Sequence, residues 1–227
     1  MPDTFTLILE TSTPLASLAT VGPDHFIEQR EFTSDRSHNA LLFPPLQELL
    51  DAREPQKISL VLVGSGPGSY SGTRVGIAAA QGIAIASGCP AIAMPSLLAV
   101  PSAEKGARCL AIGDARRGTY WTAFIGDSRL DAEPELTDAD GLSDCVRNAL
   151  GDGVPVFSFE TPERFPLPAE IQNQLRVEIP SASRLWHAWS AATPASRDAL
   201  STAIPQPMYL KPPHITPAKR AWLIPQS

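Results

Sequence analysis

Apolar positions at the start of the chain come in three short runs that are separated by turn-forming residues. The runs cover residues 5–9, 15–21 and 26–32, and the connections at 10–14 and 22–24 are rich in threonine, serine, proline, glycine and aspartate. Runs of this length with short polar connections are typical of antiparallel strands. We therefore predict a three-stranded meander.

The next segment changes to helical periodicity. Leucines recur at three- and four-residue spacing from about Asn39, which predicts a helix with one buried face. These leucines are Leu42, Leu46, Leu49 and Leu50. Pro44 and Pro45 interrupt the pattern, so we expect the helix to be kinked there or to begin later. Residues 58–63 are apolar except for Ser59, which predicts a strand covered on both faces.

A glycine-rich segment, residues 64–72, follows this strand and precedes a second helix. Thr73 is the predicted N-cap of a helix over 74–86, and Gly88 is its predicted end. Small residues line two faces of this helix, which would let other backbones approach closely on both sides. One face carries Gly76, Ala80 and Ala84, and the other carries Ala78, Gly82 and Ala86.

The chain changes character near its middle. Acidic and loop-forming residues dominate 127–144, and prolines recur over 155–180. Short apolar runs nevertheless predict further strands. These runs are 91–93, 110–113 and 120–125. We divide the chain into three units. They are an N-terminal partner-binding lobe (1–102), a smaller second lobe (103–200) and a proline-rich tail (201–227) that docks back on the body.

Composition limits the class of protein. Apolar residues make up 43% and charged residues 19% of the 227 positions, as in a globular protein with a core. A net charge of −6 disfavours unaided binding to nucleic acid, because little counterion release is available. Three cysteines without a CxxC pair indicate free thiols. The N-terminus lacks a signal-peptide pattern and the apolar region 75–100 is interrupted, so we expect a cytoplasmic protein without a membrane span.

The glycine-rich segment is the first candidate site. It lies between a predicted strand and a helix N-terminus, where backbone N–H groups and the helix dipole can hold an anion. Its glycines would let a ligand or a second chain come close. It matches neither the GxxxxGKS/T nor the GxGxxG phosphate-binding pattern. From its residues alone, the segment is either a binding loop or a connecting turn.

Two further places are weaker candidates. The turn at 10–13 offers Glu10 and three hydroxyl groups, which could contact a phosphate but more often only cap a turn. His38 precedes the first helix, where it would cap the helix or contact a loop. Leu42 stands where a second metal-binding histidine would fall, so we predict no metal site.

The segment after the strand at 110–113 combines one carboxylate with two guanidinium groups. Asp114, Arg116 and Arg117 could fix a phosphate or an acidic group of a partner, or they could form an internal salt bridge. No catalytic residue is predicted, because Ser69 and Ser71 lie outside a GxSxG context.

Five segments together resemble signature sequences of the TsaB (YeaZ) family. The most specific is GPGSYSGTRVG at 66–76, which is close to the family pattern GPGSFTGxRIG. The other segments are LILETST at 7–13, RSHNALL at 36–42, DARRGTYW at 114–121 and PMYLK at 207–211. They occur in the family's order and span nearly the whole chain.

This resemblance implies a fold and a role. The fold would be α/β and two-lobed, of the actin, Hsp70 and sugar-kinase type (ASKHA). The role would be that of a non-catalytic subunit that binds and activates a TsaD-like threonylcarbamoyltransferase acting on tRNA, with a TsaE-like ATPase as a third component. tRNA would be contacted only through the complex, and a homodimer would use the same helical surface. No cofactor is implied, although ATP or ADP could bind at the partner interface.

The resemblance also assigns candidate residues. The partner-binding residues would be Leu42, Leu46, Gly76, Ala80, Ile83 and Ala84. The loop or nucleotide-binding residues would be Glu10, Thr11, Ser12, Thr13, His38, Gly66, Gly68, Ser69, Gly72, Arg74, Asp114 and Arg116.

Two departures from the family pattern bear on these assignments. Glu10 stands where the family has Asp, which disfavours a Mg–nucleotide site, and the DARRG segment is one residue short, which leaves the register of the next strand open. The alternatives to a subunit are a glycoprotease-like hydrolase, a nucleotide-binding phosphotransferase acting alone, or a nucleotide sensor. The sequence shows no pair of metal-binding histidines and no general base near the loop. Their absence disfavours the hydrolase and the phosphotransferase.

Overall fold

Eleven strands form two mixed sheets in the computed structural model, which describes residues 4–34, 38–53 and 55–210. The first sheet contains β1 (Thr4–Glu10), β2 (Leu15–Val21), β3 (Ile27–Thr33), β4 (Lys57–Gly64) and β5 (Ala91–Met94). The second contains β6 (Cys109–Asp114), β7 (Tyr120–Gly126), β8 (Arg129–Leu130), β9 (Glu135–Thr137), β10 (Val156–Ser158) and β11 (Arg176–Val177). The predicted N-terminal meander is confirmed, because β1, β2 and β3 pair antiparallel in sequence order.

The two sheets repeat one strand order. In the first sheet the order is β3-β2-β1-β4-β5, with antiparallel pairs on one side of β1 and parallel pairs on the other. In the second sheet β9, β7, β6, β10 and β11 take the equivalent places with the same directions. The first strand of each lobe therefore ends in a carboxylate, Glu10 on β1 and Asp114 on β6. This duplicated arrangement is the predicted two-lobed ASKHA fold.

Six α-helices cover these sheets. They are α1 (His38–Asp51), α2 (Tyr70–Ser87), α3 (Ala139–Gly151), α4 (Ala169–Gln172), α5 (Ala182–Ala191) and α6 (Pro194–Thr202). Short 3-10 turns connect them at Ser96–Leu98, Pro101–Gly106 and Pro162–Arg164. Among the described residues, none of the helices combines the length and the apolar composition that a bilayer span requires.

The first helix contains both of its prolines. α1 begins at His38 and continues through Pro44 and Pro45, so of the two expected alternatives, a kink or a later start, the later start is wrong. Leu42 and Leu49 are completely buried against the first sheet. Burial of this leucine face offsets the hydrogen bonds that the prolines cannot make.

The second helix begins one turn earlier than predicted. Ser69, and not Thr73, is the N-cap, because the Ser69 hydroxyl accepts a hydrogen bond from the Gly72 N–H at 3.2 Å. A serine in this position satisfies one of the unpaired N–H groups of the first turn. Gly88 ends the helix with φ of 65°, as predicted.

A shared apolar core joins the two lobes. Alternate residues of β4 face opposite sides of the first sheet: Val61 packs with α1 and α2, and Leu62 packs with α5. Leu185 of α5 and Phe157 of the second sheet belong to the same core as Leu62. The range 103–200 therefore contains both the second sheet and a helix that covers the first. α3 packs on the outer face of the second sheet through Leu142.

The tail returns to the first lobe. After α6, the Met208 N–H donates a hydrogen bond to the Ser65 carbonyl at 2.8 Å. Within the range predicted as a tail, residues 211–227 lie outside the described part of the chain.

The small-residue face assigned to partner binding lies inside the molecule. Gly76, Ala80 and Ala84 are buried against the first sheet, as are Leu42 and Leu46 of α1. The sixth assigned residue, Ile83, is half-buried against the same core. Burial contradicts the assignment of the five buried residues to a partner surface, because the small side chains serve to bring α2 close to its own sheet.

Two glycines of α2 test which face of the helix packs against the sheet. A Cβ atom at Gly76 would overlap the Thr11 hydroxyl, whereas a Cβ at Gly82 would meet nothing within 4 Å. We expect Gly76→Ala to lower the free energy of unfolding by about 1–3 kcal/mol through overpacking. Gly82→Ala should raise it by about 0.5–1 kcal/mol, because alanine favours the helix. Urea unfolding of both variants measures the difference, and changes of the same sign would contradict this packing.

Candidate functional site

A cleft of about 730 Å³ separates the two lobes. The turn after β1 and the glycine-rich segment form its first-lobe side, and the ends of β6 and β10 form its second-lobe side. Residues 207–210 complete the wall. Side chains that line it include Ser12, Thr73, Trp121, Phe159, Glu160 and Arg164.

The glycine-rich segment is fastened to the turn after β1. The Ser69 N–H donates a hydrogen bond to the Ser12 carbonyl at 2.6 Å, and the Thr11 hydroxyl donates to the Gly72 carbonyl at 2.8 Å. A Cβ atom at Gly68 would overlap the Ser12 carbonyl oxygen. Glycine is needed at Gly68 because two backbones meet there.

Several N–H groups of this segment have partners within the protein. The Ser65 N–H donates to the Met94 carbonyl at 2.7 Å, and the Gly66 N–H donates to the Ser96 hydroxyl at 3.0 Å. The N–H of Gly72 is used by the N-cap. An anion that used these N–H groups would have to displace the bonds they already make. Of the two alternatives left open by the sequence, these bonds support a structural connection.

Two hydroxyl groups of the turn form hydrogen bonds within the protein. Thr11 bonds to Gly72, and the Thr13 hydroxyl donates to the Leu15 carbonyl at 2.7 Å. The Ser12 hydroxyl lies close to the Glu10 carboxyl. The Thr73 hydroxyl oxygen is buried and has no hydrogen-bond partner among the described residues, which is unusual because buried polar atoms are nearly always paired.

Glu10 is completely buried at the end of β1. Its Oε1 accepts a hydrogen bond from the Ser12 N–H at 2.8 Å, whereas Oε2 has no hydrogen-bond partner in the described part of the chain. Burial raises the pKa of this carboxyl, and nearby groups of Ser12 and Ser96 offset the rise only in part. The Glu10 carboxyl therefore stays protonated to a higher pH than an exposed glutamate does.

These features do not fit a Mg–nucleotide site on the first lobe. Magnesium in such sites is held by ionised carboxylates and phosphate oxygens, but burial disfavours the ionised form of Glu10. No group of three or more His, Cys, Asp or Glu residues within the described ranges could hold a metal ion. The side chain of His38 lies outside the described part of the structure.

Asp114 takes part in an internal network on the second-lobe side. Its carboxylate accepts a hydrogen bond from the Arg116 N–H at 2.6 Å and lies 3.3 Å from the Arg116 guanidinium. The Arg164 guanidinium lies 3.9 Å away, and the Asp114 N–H donates to Glu160 at 2.7 Å. The internal salt bridge is thus the alternative that the structure favours. Asp114 pairs with Tyr120 across the hairpin, which fixes the register left open by the sequence.

Arg74 lies at the mouth of the cleft. Its guanidinium carbon is 4.0 Å from the centre of the Tyr70 ring, and its Nη2 donates to the Tyr209 hydroxyl at 2.7 Å. The sequence analysis noted Tyr209 only within a family motif and did not connect it with Arg74. Glu160 and Arg164 were missed, because no local pattern marks them. Their position follows from the repeated strand order, in which the end of β10 corresponds to the end of β4.

Replacement of Glu10 by glutamine should change how stability depends on pH. In the wild-type protein the unfolded state loses its Glu10 proton near the ordinary pKa of about 4.3, while the folded state retains it to higher pH. Stability is therefore lost as pH rises above that value. Glu10→Gln lacks this loss, so the stability of the variant relative to the wild type should increase between pH 4 and pH 8.

Urea unfolding at several pH values measures this effect. Glu133→Gln, at an exposed position, is the matched control for the loss of one carboxyl group. A Glu10→Gln curve that runs parallel to the wild-type curve would contradict the raised pKa.

Sequence comparisons identify relatives of the chain. The family model described as TsaD, tRNA N6-adenosine threonylcarbamoyltransferase, matches residues 30–140. The chain is 31% identical to the tRNA threonylcarbamoyladenosine biosynthesis protein TsaB of Escherichia coli K12, over 59% of this chain and 60% of that protein. It is also 31% identical to TsaB of Bacillus subtilis 168, over 52% of this chain and 53% of that protein. The matches thus span little more than half the length of these curated relatives.

Structure comparison finds the same fold in full-length proteins. A Pseudomonas aeruginosa protein described as similar to peptidase YeaZ superposes with a TM-score of 0.68 at 22% identity, covering 92% of this chain and all of that one. YeaZ from Pseudomonas aeruginosa superposes with a TM-score of 0.66 over 91% of this chain and all of its own length. The chain is therefore similar to proteins named TsaB over little more than half of its length, in agreement with the signature segments, and it shares the fold of the YeaZ structures.

Proposed function

We propose that this chain is a non-catalytic subunit that binds and activates a TsaD-like threonylcarbamoyltransferase in the formation of N6-threonylcarbamoyladenosine in tRNA. The names of the relatives, which are tRNA threonylcarbamoyladenosine biosynthesis proteins, support the pathway. A TsaE-like ATPase would be a further component, and a homodimer through the same surface would be an alternative assembly.

The exposed face of α2 is the observation that carries this proposal. Ala78, Gly82 and Ala86 are exposed, and Ile85 beside them is 83% exposed. This face lies opposite the buried face of Gly76, Ala80 and Ala84, because positions three and four apart share a side of a helix. Small residues on an exposed helix face would allow another helix to approach closely, with Ile85 as an apolar anchor.

The neighbouring helix extends this apolar surface. α1 packs against α2, and its Phe43 is 60% exposed while Leu41 is also exposed. Large apolar side chains on two adjacent helices are typical of a protein-binding surface. The proposed partner surface therefore consists of Leu41, Phe43, Ala78, Gly82 and Ile85, in place of the buried residues that the sequence analysis named.

The arrangement of the cleft supports chemistry on the partner. Burial disfavours ionised Glu10 as a base or metal ligand, and Asp114 is already paired with arginines. The net charge of −6 also disfavours a direct grip on tRNA phosphates. We propose that the partner supplies the tRNA contacts and that this chain has no resident cofactor.

Reconstitution with the TsaD-like protein of the same organism tests the proposal. The chain alone should form no threonylcarbamoyladenosine, and the mixture should co-elute and support modification. Ala78→Arg should weaken binding by about tenfold or more, which corresponds to ~1.4 kcal/mol, because a charged side chain would be buried without a partner.

The control for Ala78→Arg is the same substitution at another exposed helical position. Ala169→Arg, on α4 of the second lobe, should bind the partner as the wild type does. Both variants should retain the wild-type melting temperature. Equal binding by all three proteins would argue against this surface, and robust modification by the chain alone would argue against a non-catalytic role.

The cleft favours one alternative function, a nucleotide-binding protein. Its volume of about 730 Å³ lies in the range of small-molecule sites. A melting series with ATP and ADP distinguishes the two functions, because a ligand at a hundred times its dissociation constant stabilises a protein by about 2.7 kcal/mol. For the chain alone we expect no such shift, since burial disfavours the ionised Glu10 that a Mg–nucleotide site would need. A clear shift would favour the nucleotide-binding protein.

A further inference from the structure

The segment after α6 runs across the mouth of the cleft. We call residues 204–210 the strap. The strap carries no regular secondary structure over 204–209, yet Pro207, Met208, Tyr209 and Leu210 all line the cleft. The opposite wall belongs to the second lobe, where Trp121 and Phe159 face the cleft. The strap therefore separates the interior of the cleft from one side of the molecule.

The strap is fastened to the first lobe at three described points. The Gln81 side-chain amide donates to the Pro205 carbonyl at 3.1 Å, and the Met208 N–H donates to the Ser65 carbonyl at 2.8 Å. At the third point, Arg74 donates to the Tyr209 hydroxyl from Nε at 3.0 Å and from Nη2 at 2.7 Å. The Tyr70 and Tyr209 ring centres lie 6.3 Å apart, with the Arg74 guanidinium near both rings.

These attachments are few, and the one between Arg74 and Tyr209 is exposed, whereas the Gln81–Pro205 bond is partly buried. Ile204 is 78% exposed and Tyr209 is 51% exposed, and the Arg74–Tyr209 bonds lie at the surface. Leu210 packs only as a half-buried neighbour of the central core. Segments with exposed hydrogen bonds and little buried apolar surface open at a lower free energy than the sheets they cover.

The strap borders a space in which a molecule could bind. The buried hydroxyl oxygen of Thr73, a residue that lines the cleft, has no hydrogen-bond partner among the described residues. A molecule bound in the cleft would lie against the strap, which forms part of the cleft wall. We propose that the strap is a displaceable lid over the interlobe cleft, latched by Tyr209 to Arg74. This inference does not depend on the proposed function.

Acrylamide quenching of Trp121 fluorescence tests the lid. Trp121 is buried and lines the cleft, so replacement of Trp186, Trp189 and Trp222 by phenylalanine leaves one reporter. In this background, Tyr209→Ala removes the latch and Met208→Pro removes the N–H that bonds to Ser65. We expect each variant to raise the quenching constant several-fold. Unchanged quenching in both variants, with native circular dichroism, would overturn the lid.

Ile204→Ala is the matched control within the strap. The Ile204 side chain is largely exposed, and it is not one of the three attachments described above, so quenching of Trp121 should stay at the background level. A rise equal to that of Tyr209→Ala would mean that any change in the strap disturbs the fold, and it would overturn the latch.

Hydrogen exchange of the unmodified protein gives a second test that needs no variant. The Met208 amide bonds to Ser65, while the Ser65 amide bonds to Met94. If the strap opens by itself, the Met208 amide should exchange about a hundredfold or more faster than the Ser65 amide, because a local opening lies well below global unfolding. Equal protection of the two amides would show that the strap opens only when the protein unfolds, which would overturn the proposal.

Discussion

The contact between the glycine-rich segment and the turn after β1 holds the first lobe in its observed form. Gly68 brings the segment against the Ser12 carbonyl, and Gly76 brings α2 against Thr11. Two hydrogen bonds, from Ser69 to Ser12 and from Thr11 to Gly72, fix the approach. The start of α2, the position of the strap and the floor of the cleft all depend on this contact, because each is attached to the same segment.

This contact also gives the glycine-rich segment a structural role. Its glycines remove side chains where protein backbones meet, and several of its N–H groups are used within the fold. Glu10 lies beside Gly64 in the same region, and its burial disfavours the negative charge that a metal site would need. Several polar groups of the first lobe thus serve its packing.

The sequence predicted much of the fold through short-range patterns. The three-strand meander, the buried strand β4 and the glycine end of α2 follow from local periodicity and turn chemistry. Its errors have physical causes. Ser69 replaced Thr73 as N-cap because the cap is decided by a hydrogen bond to Gly72, and α1 kept Pro44 and Pro45 because its leucines are buried on the sheet.

The sequence by itself carried the resemblance to the TsaB (YeaZ) family, through the GPGSYSGTRVG segment and four weaker segments in the same order. It also determined that α2 has two small-residue faces. Only the tertiary structure decided which face is buried, because the two faces have the same residue chemistry and differ only in where the sheet lies. Only the tertiary structure showed that Arg164 lies near Asp114 and that Arg74 bonds to Tyr209. Contacts between such distant segments leave no local pattern in the sequence.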